Sequence, residues 1–196
     1  MSHAVPTGRS PSSKTGYANA GFENFNGITS EFDWSFDLPF AHNPGGWGTV
    51  DARLNYFFEN QLNQAVGTED VTVLAGSLGN SRHRATLDIN WHRSSLYALW
   101  QTRFTGHAVW DNSLGATNTQ QQGVGNWWVH NLTVGYNVDR KLKLQLVVDN
   151  VFDKQAPFPL PASPPNSTLL IPNAIETYYS GILGRYFIAS VEYKVY

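Results

Sequence analysis

The feature that most constrains this chain is a strict two-residue alternation of apolar and polar side chains, sustained over stretches too long for ordinary strands. From Gly27 to Pro39, Ile28, Ser30, Phe32, Trp34, Phe36 and Leu38 fall on one face, and Thr29, Glu31, Asp33, Ser35 and Asp37 on the other. Because side chains alternate across a strand, this pattern predicts one apolar and one polar surface. The same pattern recurs over Thr49 to Glu59, Arg82 to Arg93, Leu96 to Gly106, Asn126 to Val138, Lys141 to Val151 and Arg185 to Tyr196, with Leu99 blurring the polar side of the fourth stretch. Seven strands of about ten to thirteen residues exceed the globular norm of about 5 to 6 and match the roughly 9 to 11 of a tilted membrane strand.

The solvent facing each side follows from composition. A soluble sheet sets Lys and Glu against water, whereas here the polar faces carry Asn, Thr, Asp and Arg, and charged residues are only 14% of the chain, no more than its aromatics. Such a face suits a barrel lumen, which makes the apolar face the lipid face. No run approaches the roughly 18 apolar residues of a membrane helix, so closed strands are the remaining way to span a bilayer. A net charge of -2 gives no reason to expect nucleic acid, and the absence of Cys removes disulfides and thiolate metal sites.

Connection lengths alternate as well. Phe40 to Gly48, Ser94-Ser95 and Asp139-Arg140 are short, while Asn60 to Ser81, His107 to Gly125 and Phe152 to Gly184 run to roughly twenty or more residues, beyond the usual limit of about 12 to 15 for structureless loops. Short turns on the periplasmic side and long loops outside are the habit of outer-membrane barrels. The last strand then runs inward. Seven strands are too few and odd in number for a bacterial barrel, which has at least about eight, and the Ser-, Gly- and Pro-rich region Gly8 to Phe22 is the weak candidate for one more. The expected fold is therefore all-β, an antiparallel up-and-down set of about seven transmembrane strands from a larger barrel. Residues 1–24 are expected as a poorly structured or partial loop segment and 25–196 as the barrel strands. The first twenty residues hold no apolar core of the kind a secretory leader needs.

Two motifs near the C-terminus carry a resemblance. Asp149-Asn150-Val151-Phe152-Asp153-Lys154 closes the penultimate strand, and Gly184-Arg185-Tyr186-Phe187 opens the terminal one, which continues through Val191-Glu192-Tyr193-Lys194. This pairing resembles the close of TonB-dependent receptors and covers the last fifty residues; the earlier strands are similar in pattern only. The resemblance implies a 22-stranded outer-membrane barrel around an N-terminal plug, actively importing a scarce nutrient of the siderophore, cobalamin or glycan class. It implies as partners the outer-membrane lipid, the barrel assembly machinery and TonB, the last through a plug region not visible in this chain. It assigns Asn150, Phe152, Asp153, Gly184, Arg185, Phe187, Tyr193 and Tyr196 to the family's C-terminal motif and assembly signal. Tyr196 supplies the terminal aromatic, although alternation aims it at the lumen side and Val195 outward.

No residue pattern points to bond chemistry, so an enzyme is not expected, and no cofactor is implied. A Ser nucleophile motif is lacking. The six His residues have no ligand spacing, and Asp149, Asn150 and Asp153 lack the alternating oxygens of a calcium loop. Trp34, Tyr56, Trp91, Trp100, Trp128, Tyr136 and Tyr193 are expected as lipid contacts and interface girdle rather than sugar platforms. Glu31, Asp33, Asp51, Arg53, Arg84, Asp88 and Arg103 are expected to pair with one another and a plug. The loop aromatics Trp110, Trp127, Phe158, Tyr178 and Tyr179 serve loop packing or ligand capture equally well. Two rival readings are a small self-contained outer-membrane barrel with a structural or adhesive role, and a soluble aromatic-rich carbohydrate-binding sandwich.

Overall fold

The computed structural model describes residues 21–39, 46–66, 71–109, 123–157 and 171–195. Expectations placed on residues 8–20, Trp110, Phe158 and Tyr196 lie outside these residues. The fold is all-β, with long strands β1 (Gly21–Asp37), β2 (Thr49–Val66), β4 (His83–Arg93), β5 (Leu96–Thr105), β8 (Trp127–Asn137), β9 (Leu142–Asp149) and β10 (Tyr186–Tyr193). Among the described residues, three two-residue strands, β3 (Thr72–Val73), β6 (Ala108–Val109) and β7 (Gly123–Val124), and one helix, α1 (Ile171–Leu183), lie in the long connections.

The long strands form one antiparallel meander, β1-β2-β4-β5-β8-β9-β10, with β3 added against β2. The sheet is not closed: among the described residues β1 and β10 are edges and do not pair with each other. Its register joins what the alternation separates. One row across all seven strands reads Phe36, Val50, Trp91, Ala98, Val134, Leu146 and Ala189. The next reads Trp34, Ala52, Ile89, Trp100, Leu132, Val148 and Phe187. Directly opposed residues share a face, so the apolar sides of seven strands make one continuous surface. Phe32, Trp34 and Phe36 on it are each about half exposed.

The opposite face carries the row Asp33, Arg53, Asp88, Gln101 and Asn131. It is not polar throughout, since Leu99, Val147 and Ile188 fall in one neighbouring row with Thr133.

Three departures from the sequence reading concern the loop end. β1 begins at Gly21 and β2 runs to Val66, so the expected boundaries at Gly27 and Glu59 are too short, and residues 21–24 belong to a strand. The reason is a β-bulge: Gly27 opposes Glu59 but Asn26 opposes Gln61, leaving Asn60 as an extra residue that breaks the alternation without ending the pairing. The third is α1, which stands in a connection expected to be structureless and is kinked at Tyr178 (φ -109°, ψ 16°).

At the turn end, Asp139 accepts hydrogen bonds from the backbone N–H groups of Lys141 (2.7 Å) and Leu142 (2.8 Å), which hold its carboxyl below the usual carboxylate range. On β8, Gly135 leaves room for the cross-strand ring of Tyr97: a Cβ there would lie 2.0 Å from Tyr97 Cζ. The ring covers the bare glycine backbone and receives Lys143 Nζ at 5.3 Å from its centroid. Gly135→Ala is expected to destabilise the sheet by about 1 to 3 kcal/mol through overpacking. Most of that loss should return in Gly135→Ala with Tyr97→Ala, measured by urea unfolding in detergent micelles; equal costs in the single and double variants would remove the role given to the ring.

Candidate functional site

Two regions gather the polar side chains that sequence reasoning singled out. The first is the polar face of β1, β2 and β4, where an open concavity of about 630 Å3 lies over Asp33, Ser35, Asp51, Arg53, Asp88 and Asn90. Arg53 Nε donates to Asp33 Oδ1 at 2.7 Å and lies 3.4 Å from Glu31 Oε1. Ser35 donates to Asp51 (2.6 Å), Gln101 donates to Asp88 (2.9 Å), and His92 Nδ1 is 3.6 Å from Asp51 Oδ2. Glu31, Asp33 and Arg53 thus pair across strands as expected, while Asp51 finds Ser35 and His92 in place of a charged residue of that set. Arg84 pairs with the buried Glu59 at 3.0 Å, and Arg103 forms no ion pair among the described residues. Exposed pairs of this kind contribute at most about 1 kcal/mol each, so they shape a hydrated, slightly acidic surface more than they stabilise it. Chemically it can hydrogen-bond and neutralise polar solutes. No group of three or more His, Asp or Glu suited to a metal occurs among the described residues.

The second region is the C-terminal motif, and here the structure brings the residues together. Asn150 is fully buried and left-handed (φ 51°). Its side-chain amide donates to the carbonyls of Lys154 (2.9 Å) and Ser180 (3.0 Å), its Oδ1 accepts from Lys154 N–H (2.8 Å), and its own N–H donates to Asn131 Oδ1 (2.9 Å). It therefore ties the end of β9, the following turn, α1 and β8 into one knot. Asp153, also left-handed (φ 52°), accepts from the N–H of Arg185 at 2.8 Å, while Arg185 Nη1 donates to the carbonyl of Val151 at 3.3 Å. Between them Gly184 takes φ 74°, a conformation that glycine adopts without a Cβ penalty. The two halves of the motif, more than thirty residues apart, are thus hydrogen-bonded to each other where β9 hands over to β10. Phe152 turns the other way, onto the apolar face, edge-on to His130 (5.1 Å) and Trp100 (6.1 Å). Phe187 and Tyr193 are exposed on that same face.

Above the polar face, the long connections and the start of β8 share a small core of Leu78, Val124, Trp127, Val129 and Tyr178, against which Ala156 packs. Trp127 meets Tyr178 edge-on at 5.6 Å, and a Cβ on Gly181 would lie 2.4 Å from Trp127 Cη2, so α1 sits directly on the indole. Burial pushes the Tyr178 phenol up to about 12. Trp127 and Tyr178 are therefore packing residues of the loop cap rather than exposed ligand contacts; Tyr179 remains half exposed. Sequence reasoning missed Glu59, the bulge at Asn60 and the Tyr97–Gly135 contact. Only the broken alternation after Glu59 could have signalled the bulge. Comparison with protein-family models, with curated proteins and with solved structures finds no match for this chain.

Proposed function

We propose that this chain forms part of the wall of an outer-membrane barrel, that of a TonB-dependent transporter for a scarce nutrient, with the long connections on the outer side. The observation that carries the reading is the continuous apolar face produced by the register. A water-soluble monomer rarely exposes a contiguous apolar patch beyond a few hundred Å2, and this one crosses seven strands. Its height also suits a bilayer. Trp128 and Tyr136 mark the two ends of β8 on that face; eight residues at about 3.3 Å, tilted by about 40°, rise roughly 20 Å, close to the apolar band of about 25 Å in such barrels.

The open edges support a larger wall. Unpaired backbone groups in lipid cost several kcal/mol each, so β1 and β10 need further strands beside them. Seven antiparallel strands leave β1 and β10 parallel to each other, and antiparallel closure then takes an odd number of additional strands, as a barrel of about 22 would provide. The C-terminal motif supports the family assignment by sequence resemblance. Among the described residues the rival readings lack their parts: β1 and β10 do not join into a small closed barrel, and the one other sheet has two strands, too few to face the meander in a sandwich.

Quenching by lipids with brominated acyl chains tests the proposal. Trp100 lies in the middle of the apolar face and Trp127 on the opposite side, nearly inaccessible. In vesicles, Trp100→Phe should remove a large share of the quenchable fluorescence and Trp127→Phe none of it. A monodisperse detergent-free monomer with the same sheet content, or equal quenching of the two sites, would overturn the reading.

A further inference from the structure

The bulge at Asn60 interrupts the apolar face of the first hairpin with two polar pairs. Below it, the outward face ends in Ile28, Phe58 and His83, joined in one row, and Tyr56 hydrogen-bonds His83 Nδ1 at 2.7 Å just beneath. Above it, the opposed pairs on that same face are Asn26 with Gln61 and Asn24 with Asn63. On the other side Phe25 pairs with Leu62 and stacks on Phe57 at 6.1 Å, and beyond the amides the outward face returns to an apolar pair, Phe22 with Ala65. The extra residue that would otherwise leave carbonyls idle is satisfied by Arg82, whose guanidinium donates to the carbonyls of Glu59 and Asn60. Four carboxamides thus replace four apolar positions at the point where the wall passes its aromatic rim. Asn24 and Asn26 are exposed, Gln61 and Asn63 half-buried. None of the four side chains has a hydrogen-bond partner among the described residues.

We propose that Asn24, Asn26, Gln61 and Asn63 form a docking patch for the neutral sugar headgroups of glycolipids in the surrounding leaflet, a role that rests on the membrane reading above. Depth and chemistry both favour this occupant. The first amide pair lies two residues and the second four residues beyond Ile28, roughly 5 and 10 Å higher at the tilt of a barrel strand, which is the level of the headgroup layer outside the hydrocarbon core. Each carboxamide offers two donors and an acceptor, matching the paired hydroxyls of a sugar, which are both donors and acceptors. The patch itself carries no charge, and the nearby Arg82 is engaged on the bulge, so a phosphate has less to bind here than a hydroxyl has. The aromatic rim of Tyr56 and Phe58 immediately below provides the apolar flank that a sugar ring prefers.

The test uses the chain inserted in phosphatidylcholine vesicles holding a minor share of either a neutral dihexosyl diacylglycerol or phosphatidylglycerol, with native mass spectrometry counting the lipids retained. About tenfold enrichment of the glycolipid over phosphatidylcholine is expected, what one or two net hydrogen bonds supply. Asn26→Ala with Gln61→Ala should abolish it, and Asn24→Ala alone should weaken it. Gln64→Ala, on the other face of the same hairpin, should leave it intact. Enrichment unchanged in the double variant, or phosphatidylglycerol retained in place of the glycolipid, would overturn the proposal. Brominated-lipid quenching of the same samples separates the causes: a chain that is not quenched has not inserted, and then the membrane reading and the patch fall together.

Discussion

Asn150→Ala is expected to destabilise the C-terminal hairpin by about 4 kcal/mol, the sum of two separable losses. Removing the amide leaves the carbonyls of Lys154 and Ser180 and the N–H of Lys154 without their partner in a site closed to water; at about 1 kcal/mol each this is about 3 kcal/mol. Holding alanine at φ 51° adds roughly 1 kcal/mol, a penalty that asparagine partly escapes and glycine does not feel. Asn150→Gly should therefore cost about 1 kcal/mol less than Asn150→Ala. Asn150→Asp keeps the shape but presents a carboxylate to two carbonyl oxygens, and should cost at least as much as alanine at neutral pH. Urea unfolding in detergent micelles, with proteolytic nicking near α1 as a local readout, measures all three. A loss below about 1 kcal/mol for Asn150→Ala would show that the motif is not what joins β9 to β10.

Why this motif was legible in the sequence while much of its setting was not comes down to the range of the forces involved. The period of two is local, so the apolar sides of the long strands could be read residue by residue, and the alternating connection lengths gave their order. Register could not be read, and it is register that places Tyr97 over Gly135 or aligns Trp34, Ile89, Trp100 and Phe187 in one row. The bulge at Asn60 escaped because the sequence around it, Glu59-Asn60-Gln61, is polar on both sides, and a lost alternation looks the same whether pairing stops or slips. Helix α1 did carry local marks, Pro172 in its first turn and Gly184 just past its end, which are start and stop residues for a helix. The loop core was beyond reach altogether, since Leu78, Val124 and Tyr178 come from three different connections and meet on Trp127 at the start of β8. Trp127 and Tyr178 could be singled out as aromatic, but only their burial against each other assigns them to packing.

The sharpest separation of the two faces comes from two adjacent residues of β4. Ile89 lies in an interior strand between Ala52 and Trp100, midway along the apolar face, and Asn90 points the other way, between Asp51 and Leu99. If the apolar face meets hydrocarbon, Ile89→Arg puts a guanidinium near the bilayer midplane, where the cost is about 2 to 4 kcal/mol. That corresponds to a drop of about 30- to 800-fold in the folding equilibrium constant. Asn90→Arg instead enters the hydrated concavity shared with Asp33, Asp51 and Asp88, where its charge is welcome and the change should stay within about 1 kcal/mol. The comparison holds backbone, strand and position nearly constant, so propensity and edge effects cancel between the two variants. Reversible unfolding in phospholipid vesicles gives both numbers. On a sheet whose two faces both met water, Ile89→Arg would be nearly neutral, because an exposed arginine pays no desolvation. Equal costs for the pair would therefore remove the lipid from the apolar face, and the transporter wall with it.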